Sequence, residues 1–213
     1  MSLKPHPWLL GPLLSFFIVG LAAGETYPTN IRYQPVREFP SLQQKVGSIL
    51  GIAPFKDDRS DKPYVGHQSS FRRVSRRPSF QTSHYFKSEP FPLEKAISDS
   101  LSKALSRFGV KTVPIPHWDR EPESLKNTEA DSILMIEIKR FWTEGIAEVR
   151  GIKVITSIYL IIHLGVKKEG KVFTRNVYVM KENTVAGLTP AEVEQILNRI
   201  LTGIFDNFFS NPY

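Results

Sequence analysis

The sequence predicts an α+β fold: a mixed, mostly antiparallel sheet with two helices packed on one face, in the order β-α-β-β-β-β-α. Three observations predict it. Residues 93–108 and 189–208 carry apolar side chains at three- and four-residue steps, the mark of half-buried helices. Residues 131–180 hold long apolar and alternating runs of strand character. Cysteine is absent from the 213 residues, so a hydrophobic core, not a disulfide framework, must hold the domain together.

The N-terminus reads as an export signal. Lys4 precedes an uncharged run from Trp8 to Ala23, which ends in Ala22-Ala23-Gly24 and turns polar at Glu25. A positive start, an apolar middle and a small-residue exit make a secretory signal peptide. The run is short for a spanning helix, which needs about 20 residues, and Gly11 and Pro12 interrupt it. Residues 1–24 are therefore expected to be a cleaved signal, placing the product in the periplasm; a retained inner-membrane anchor is the alternative. No cysteine is present to carry the lipid of a bacterial lipoprotein.

Residues 25–44, with Pro28, Pro35 and Pro40 and no apolar period, read as an extended lead-in. The domain is expected to span 45–213. Val46, Ile49, Leu50 and Ile52 suggest a first strand, ended by Pro54. Pro92 opens the first helix, where its missing N–H is no loss, and Gly109 stops it. Val110 to Ile115 is a brief strand and His117 to Glu129 a polar connection. Asp131 to Trp142 begins apolar on both faces, as a central strand does. From Arg150 to Val166 the even positions are apolar and the odd positions mixed, giving one buried and one wet face. Lys168-Glu169-Gly170 turns the chain into a partner strand, Val172 to Met180. Thr189-Pro190-Ala191-Glu192 then combines an N-cap, a first-turn proline and a capping glutamate. Eight apolar residues follow on one stripe, worth roughly 1.5–3 kcal/mol each on full burial.

The formal charge of +7 is uneven. Without Lys4 it is about +6, and residues 67–87 supply five of those charges through Arg72, Arg73, Arg76, Arg77 and Lys87, with no acid among them. This basic, serine-rich stretch reads as a long exposed loop or irregular hairpin. It suits an anionic lipid surface or an acidic envelope protein as partner, against the plain alternative of a solvated loop. The leader argues against nucleic acid. Asp57, Asp58, Arg59 and Asp61 form the one acidic cluster beside a strand end. It could orient a partner or hold a cation, though it lacks the ligand spacing of a calcium loop. The plainer reading is a turn whose side chains satisfy local N–H groups, with Arg59 folded onto an acidic neighbour. His6, His67, His84, His117 and His163 show no metal-ligand spacing, and neither a nucleophile elbow nor a phosphate loop is present. No cofactor, metal or catalytic residue is expected. Trp142, Tyr159, Phe208 and Phe209 are candidate groove aromatics, with core packing as the bland reading.

A strand followed by Asp57-Asp58-Arg59 and Val65-Gly66, a helix from Leu93 to Phe108 closed by Gly109, and Ala130-Asp131-Ser132-Ile133-Leu134 opening a long strand make an ordered set. In that order the chain resembles the YajG-type family of bacterial envelope lipoproteins, and more loosely periplasmic auxiliary components of lipid transporters. The resemblance covers residues 45–208 and implies an α+β fold and an envelope role, with no catalytic residues. The missing lipobox cysteine and the basic insertion depart from the family. The expectation is a non-enzymatic periplasmic accessory or interaction protein binding through Asp57 to Lys87; the alternative is a carrier or sensor of a lipid-like ligand.

Overall fold

The computed structural model describes residues 24–71 and 81–212. Its elements are β1 (Glu25–Thr29), α1 (Leu42–Val46), β2 (Ile49–Ile52), β3 (Lys56–Asp57), β4 (Tyr64–Phe71), β5 (Gln81–Ser88), α2 (Leu93–Ser106), β6 (Lys111–Pro114), β7 (Ser132–Glu148), β8 (Gly151–Val166), β9 (Lys171–Val185) and α3 (Pro190–Ser210). The fold is α+β, and most registered strand pairs are antiparallel.

β7 organises the sheet. Its 17 residues span about 55 Å at the usual strand rise. On one edge it pairs antiparallel with β8, which pairs in turn with β9. Along the other edge three short strands lie in tandem, all parallel to it: β2 beside Ser132–Leu134, β3 beside Glu137–Ile138 and β4 beside Thr143–Ile146. The sheet forks there. β6 continues from β2 at one end, and β5 then β1 continue from β4 at the other.

The two long helices, α2 and α3, share one face with the main core. Leu134, Ile136 and Ile138 of β7 and Ile158, Leu160, Ile162 and Leu164 of β8 meet Leu93, Ile97 and Leu101 of α2 and Leu197, Leu201, Phe205 and Phe208 of α3. The period-two face of β8 is the one the sequence marks. A register shift between Ile138 and Arg140 moves the inward positions of β7 from even to odd, so Phe141 and Thr143 point to the helices. α3 begins on the expected capping box: the Thr189 hydroxyl accepts from Glu192 N–H, and the Glu192 carboxylate accepts from Thr189 N–H. Gly109, at φ 75°, takes the left-handed conformation that ends the α2 region.

The structure differs from the sequence reading in two places. Residues 25–44 are extended, but they are not peripheral. β1 adds an edge strand, and Ile31, Tyr33, Phe39 and Leu42 are buried in the main core. Val46 closes a short helix rather than opening a strand, which starts at Ile49. In the described part of 67–87 the hairpin alternative is the one observed: β4 and β5 pair from Tyr64–Lys87 to Phe71–Gln81. The expected signal, apart from Gly24, lies outside the described residues. No helix among the described residues is long and apolar enough to cross a membrane.

Candidate interaction surface

Asp57, Asp58 and Arg59 act within the fold. The Arg59 guanidinium forms a fork on Asp57, Nε to Oδ1 at 2.8 Å and Nη2 to Oδ2 at 2.7 Å. Its remaining nitrogen, Nη1, donates to the carbonyls of Tyr64 at 2.6 Å and Phe141 at 3.1 Å. The Asp57 and Arg59 side chains are only 5 % and 4 % exposed. Asp58 pairs with Lys139 at 2.7 Å, which holds its carboxyl below the usual range. Asp61 stays exposed, its carbonyl accepting from Tyr64 N–H. Lys87 faces Tyr64 and pairs with Glu89 at 2.8 Å, which raises the pKa of its ammonium. Arg72, Arg73, Arg76 and Arg77 lie outside the described residues. The segment that carries them joins the far ends of β4 and β5, about 20 Å along the strand from Lys87. The acidic cluster and the arginine run therefore belong to opposite ends of one hairpin.

The sheet face away from the helices has three zones. At the end where β7 begins, the 117–129 connection covers it: Trp118 and Leu125 pack on Ile133 and Met135. Gly165 makes this possible, because a Cβ there would sit 2.5 Å from Leu125 and 2.7 Å from the Trp118 ring.

Next comes a charged girdle. Glu137, on β7 beside His163, accepts from Arg120 at 2.6 Å and Lys139 at 2.7 Å. Lys139 above all, and then the nearby His163 and Arg120, hold the Glu137 carboxyl below its ordinary pKa. Arg120 reaches it from a left-handed backbone at φ 69°, which costs a non-glycine residue roughly 1–2 kcal/mol. His163 Nδ1 shares a hydrogen with the Thr174 hydroxyl at 2.9 Å, and Nε2 lies 3.4 Å from Glu137 without hydrogen-bond geometry. Burial pushes the imidazole pKa down, against the opposing pull of Glu137. A hydroxyl, an imidazole and a carboxylate thus stand in a row. The carboxylate, however, is held by two cations rather than by the imidazole it would have to orient. The arrangement works as a brace between β7, β8, β9 and the 117–129 connection.

Beyond the girdle the face is aromatic and half-exposed, and no described element packs over it. Tyr64 meets Tyr85 at 5.1 Å between ring centroids, Tyr85 meets His67 at 6.1 Å, and His67 meets Trp142 at 5.7 Å. Arg140 beside Tyr159, and Trp142 beside Ser157, carry the row to β8. Tyr159 and Tyr178 meet edge to face at 6.1 Å. The stripe crosses β5, β4, β7, β8 and β9 and ends at Tyr178 and Met180, 60 % and 56 % exposed. Trp142 and Tyr159 belong to it, as candidate groove aromatics. Phe208 and Phe209 are buried in the core on the opposite face, so the sheet separates the two pairs.

The stripe is only partly visible in sequence. The mixed odd positions of β8, with Ser157, Tyr159 and His163, signal a face that is not core. The other members come from strands separated by the basic segment and a helix, and only the sheet brings them into line.

No protein-family profile matches the chain, and no curated protein matches it in sequence. Solved structures match in fold. A Xanthomonas campestris protein described as DUF330 superposes with a TM-score of 0.54 at 17 % identity, over 88 % of this chain and 93 % of that one. The two share a fold. A hypothetical protein from Chlamydia trachomatis (TM-score 0.39, 12 % identity, 76 % and 96 % covered) and lipoprotein GNA1162 from Neisseria meningitidis (TM-score 0.36, 10 % identity, 74 % and 98 % covered) lie further away.

Proposed function

We propose that this chain is a non-enzymatic accessory protein of the bacterial cell envelope, exported by its leader, that works by contact with another envelope protein. The observation that carries the reading is the aromatic stripe, over which no described element packs. Tyr, Trp, Met and Arg are the residue types enriched where proteins bind one another, because they offer large contact area with a polar handle. The arginines of 72–77, which follow β4 in sequence, would add long-range attraction to an acidic partner or an anionic membrane. Kinship with the YajG-type family, or with auxiliary components of lipid transport, belongs to the same proposal.

The test is capture from an envelope extract with the purified chain. Replacing Arg140 and Tyr159 by Ala should lose the partner, and Arg72, Arg73, Arg76 and Arg77 changed to Ala should weaken its capture. The same partners recovered by all three proteins would refute the reading. Cell fractionation with N-terminal sequencing checks export and cleavage.

A second reading is a lipid-like ligand. It draws on a groove of about 670 Å³ between α2 and the β2–β6 edge, lined by Ile52, Phe55, Val113 and Ile115. Native mass spectrometry of gently isolated protein tests it: bound lipid supports a carrier, and consistently bare protein removes it.

A further inference from the structure

Among the described residues four strands have a neighbour on one side only, and they are not equally protected; β3 is just two residues long. An edge offers unpaired N–H and C=O groups to any other strand, and proteins blunt such edges with proline, shortness, bulges or charge. β6 is four residues long and ends at Pro114, with Pro116 just beyond. β1 is five residues long and contains Pro28. β9 is neither short nor interrupted, and its guard is charge alone, at Lys171, Arg175, Lys181 and Glu182. It runs for 15 residues without proline or glycine and pairs with β8 through an unbroken register from Lys171 to Val185. Among the described residues it pairs with β8 alone. Two of the five large exposed apolar side chains of the described residues, Tyr178 and Met180, stand on it.

We infer that β9 is a docking strand for a second copy of this chain, joined antiparallel about a twofold axis at Val179. Charge excludes an axis at Tyr178 or at Lys181, and the matching of the other side chains then favours Val179. Antiparallel neighbours opposite one another share a sheet face, so a twofold axis must pass through a residue. An axis at Tyr178 would set Arg175 against Lys181 of the other copy, twice. An axis at Val179 sets Arg175 against Asn183 and Glu182 against Asn176. It also sets Tyr178 against Met180, Thr174 against Thr184 and Phe173 against Val185. Aromatic, β-branched and threonine pairs of this kind are those that stabilise adjacent strands, whereas like charges opposite one another destabilise them. The union keeps both helix layers on one side and runs the two aromatic stripes into one through the Tyr178–Met180 contacts. It needs nothing from the partner proposed above.

Sedimentation of the full chain tests this directly, and a dimer is expected. Tyr178→Lys with Met180→Lys places lysines opposite one another twice and should give monomer. Tyr178→Lys with Met180→Glu places opposite charges there and should restore the dimer; under an axis at Tyr178 it would not. Both residues are exposed, so folding is kept, and circular dichroism checks it. The absence of cysteine gives a second readout. Val179→Cys should oxidise to a disulfide-linked dimer, and Tyr178→Cys should do so far less, because its own copy is not opposite it. A wild-type monomer at the highest attainable concentration, or equal cross-linking at both positions, would overturn the inference. Loss of envelope partners with the dimer intact would instead overturn only the functional reading.

Discussion

Arg59 joins three strands through one side chain, binding Asp57 of β3 and the carbonyls of Tyr64 in β4 and Phe141 in β7. Arg59→Ala leaves a buried carboxylate and two carbonyls without their donor. The expected cost is about 3–5 kcal/mol, the range for breaking a buried pair on one side, read as a lower urea midpoint. Asp57 and Arg59 were legible as a local fold-back; their depth was not, because it comes from β7, some eighty residues away. The girdle residues lead to a pH prediction. Folding holds the His163 pKa below 6.5, so the unfolded chain takes up that proton first on acidification. Stability should fall as pH drops from about 6.5. Glu137 is held below 4.5 by Lys139, so its contribution is full above that value and is lost at lower pH, through the folded-state pKa. His163→Gln should flatten the upper part of the profile and leave the lower part, as followed by denaturation at stepped pH.

Among the elements, Gly165 is the place where a strand accepts a covering loop. Gly165→Val puts two methyl groups where Leu125 and the Trp118 ring lie. Overpacking of this kind costs roughly 1–3 kcal/mol, and Trp118 emission should shift to the red as the buried indole meets water. Helices were the most legible elements. The boundaries of α3 follow from Thr189, Pro190 and Glu192, because capping is local chemistry. β8 was legible for a similar reason, its period of two being a property of one strand. β4 and β5 were legible only as an irregular hairpin, one of two alternatives, since the polar sequence from Gly66 to Ser70 has no apolar alternation. These strands are set by the partners they find, β7 on one side and β1 on the other. The 117–129 connection looks polar, yet Trp118 and Leu125 anchor it.

At the scale of the molecule, the domain begins earlier than its composition suggests. The prolines of 25–44 hide four core residues, and the Tyr33 hydroxyl donates to the buried Asp206 carboxylate at 2.9 Å. Burial, and then this carboxylate, push the Tyr33 pKa far up. A chain starting at Lys45 strips the partners of α3. It should lose near-ultraviolet dichroism while keeping far-ultraviolet signal, the mark of secondary structure without fixed packing. The aromatic stripe belongs to this scale too, because no window of sequence contains it. The tandem seating of β2, β3 and β4 on one edge of β7 has its own evolutionary corollary. Strands that share a rail leave the exposed tip of the linker between β3 and β4, Ser60 to Lys62, free to lengthen, shorten or diverge. Relatives should therefore differ most there, and grafting a foreign loop at that tip with Arg59 kept should spare the opposite half of the molecule.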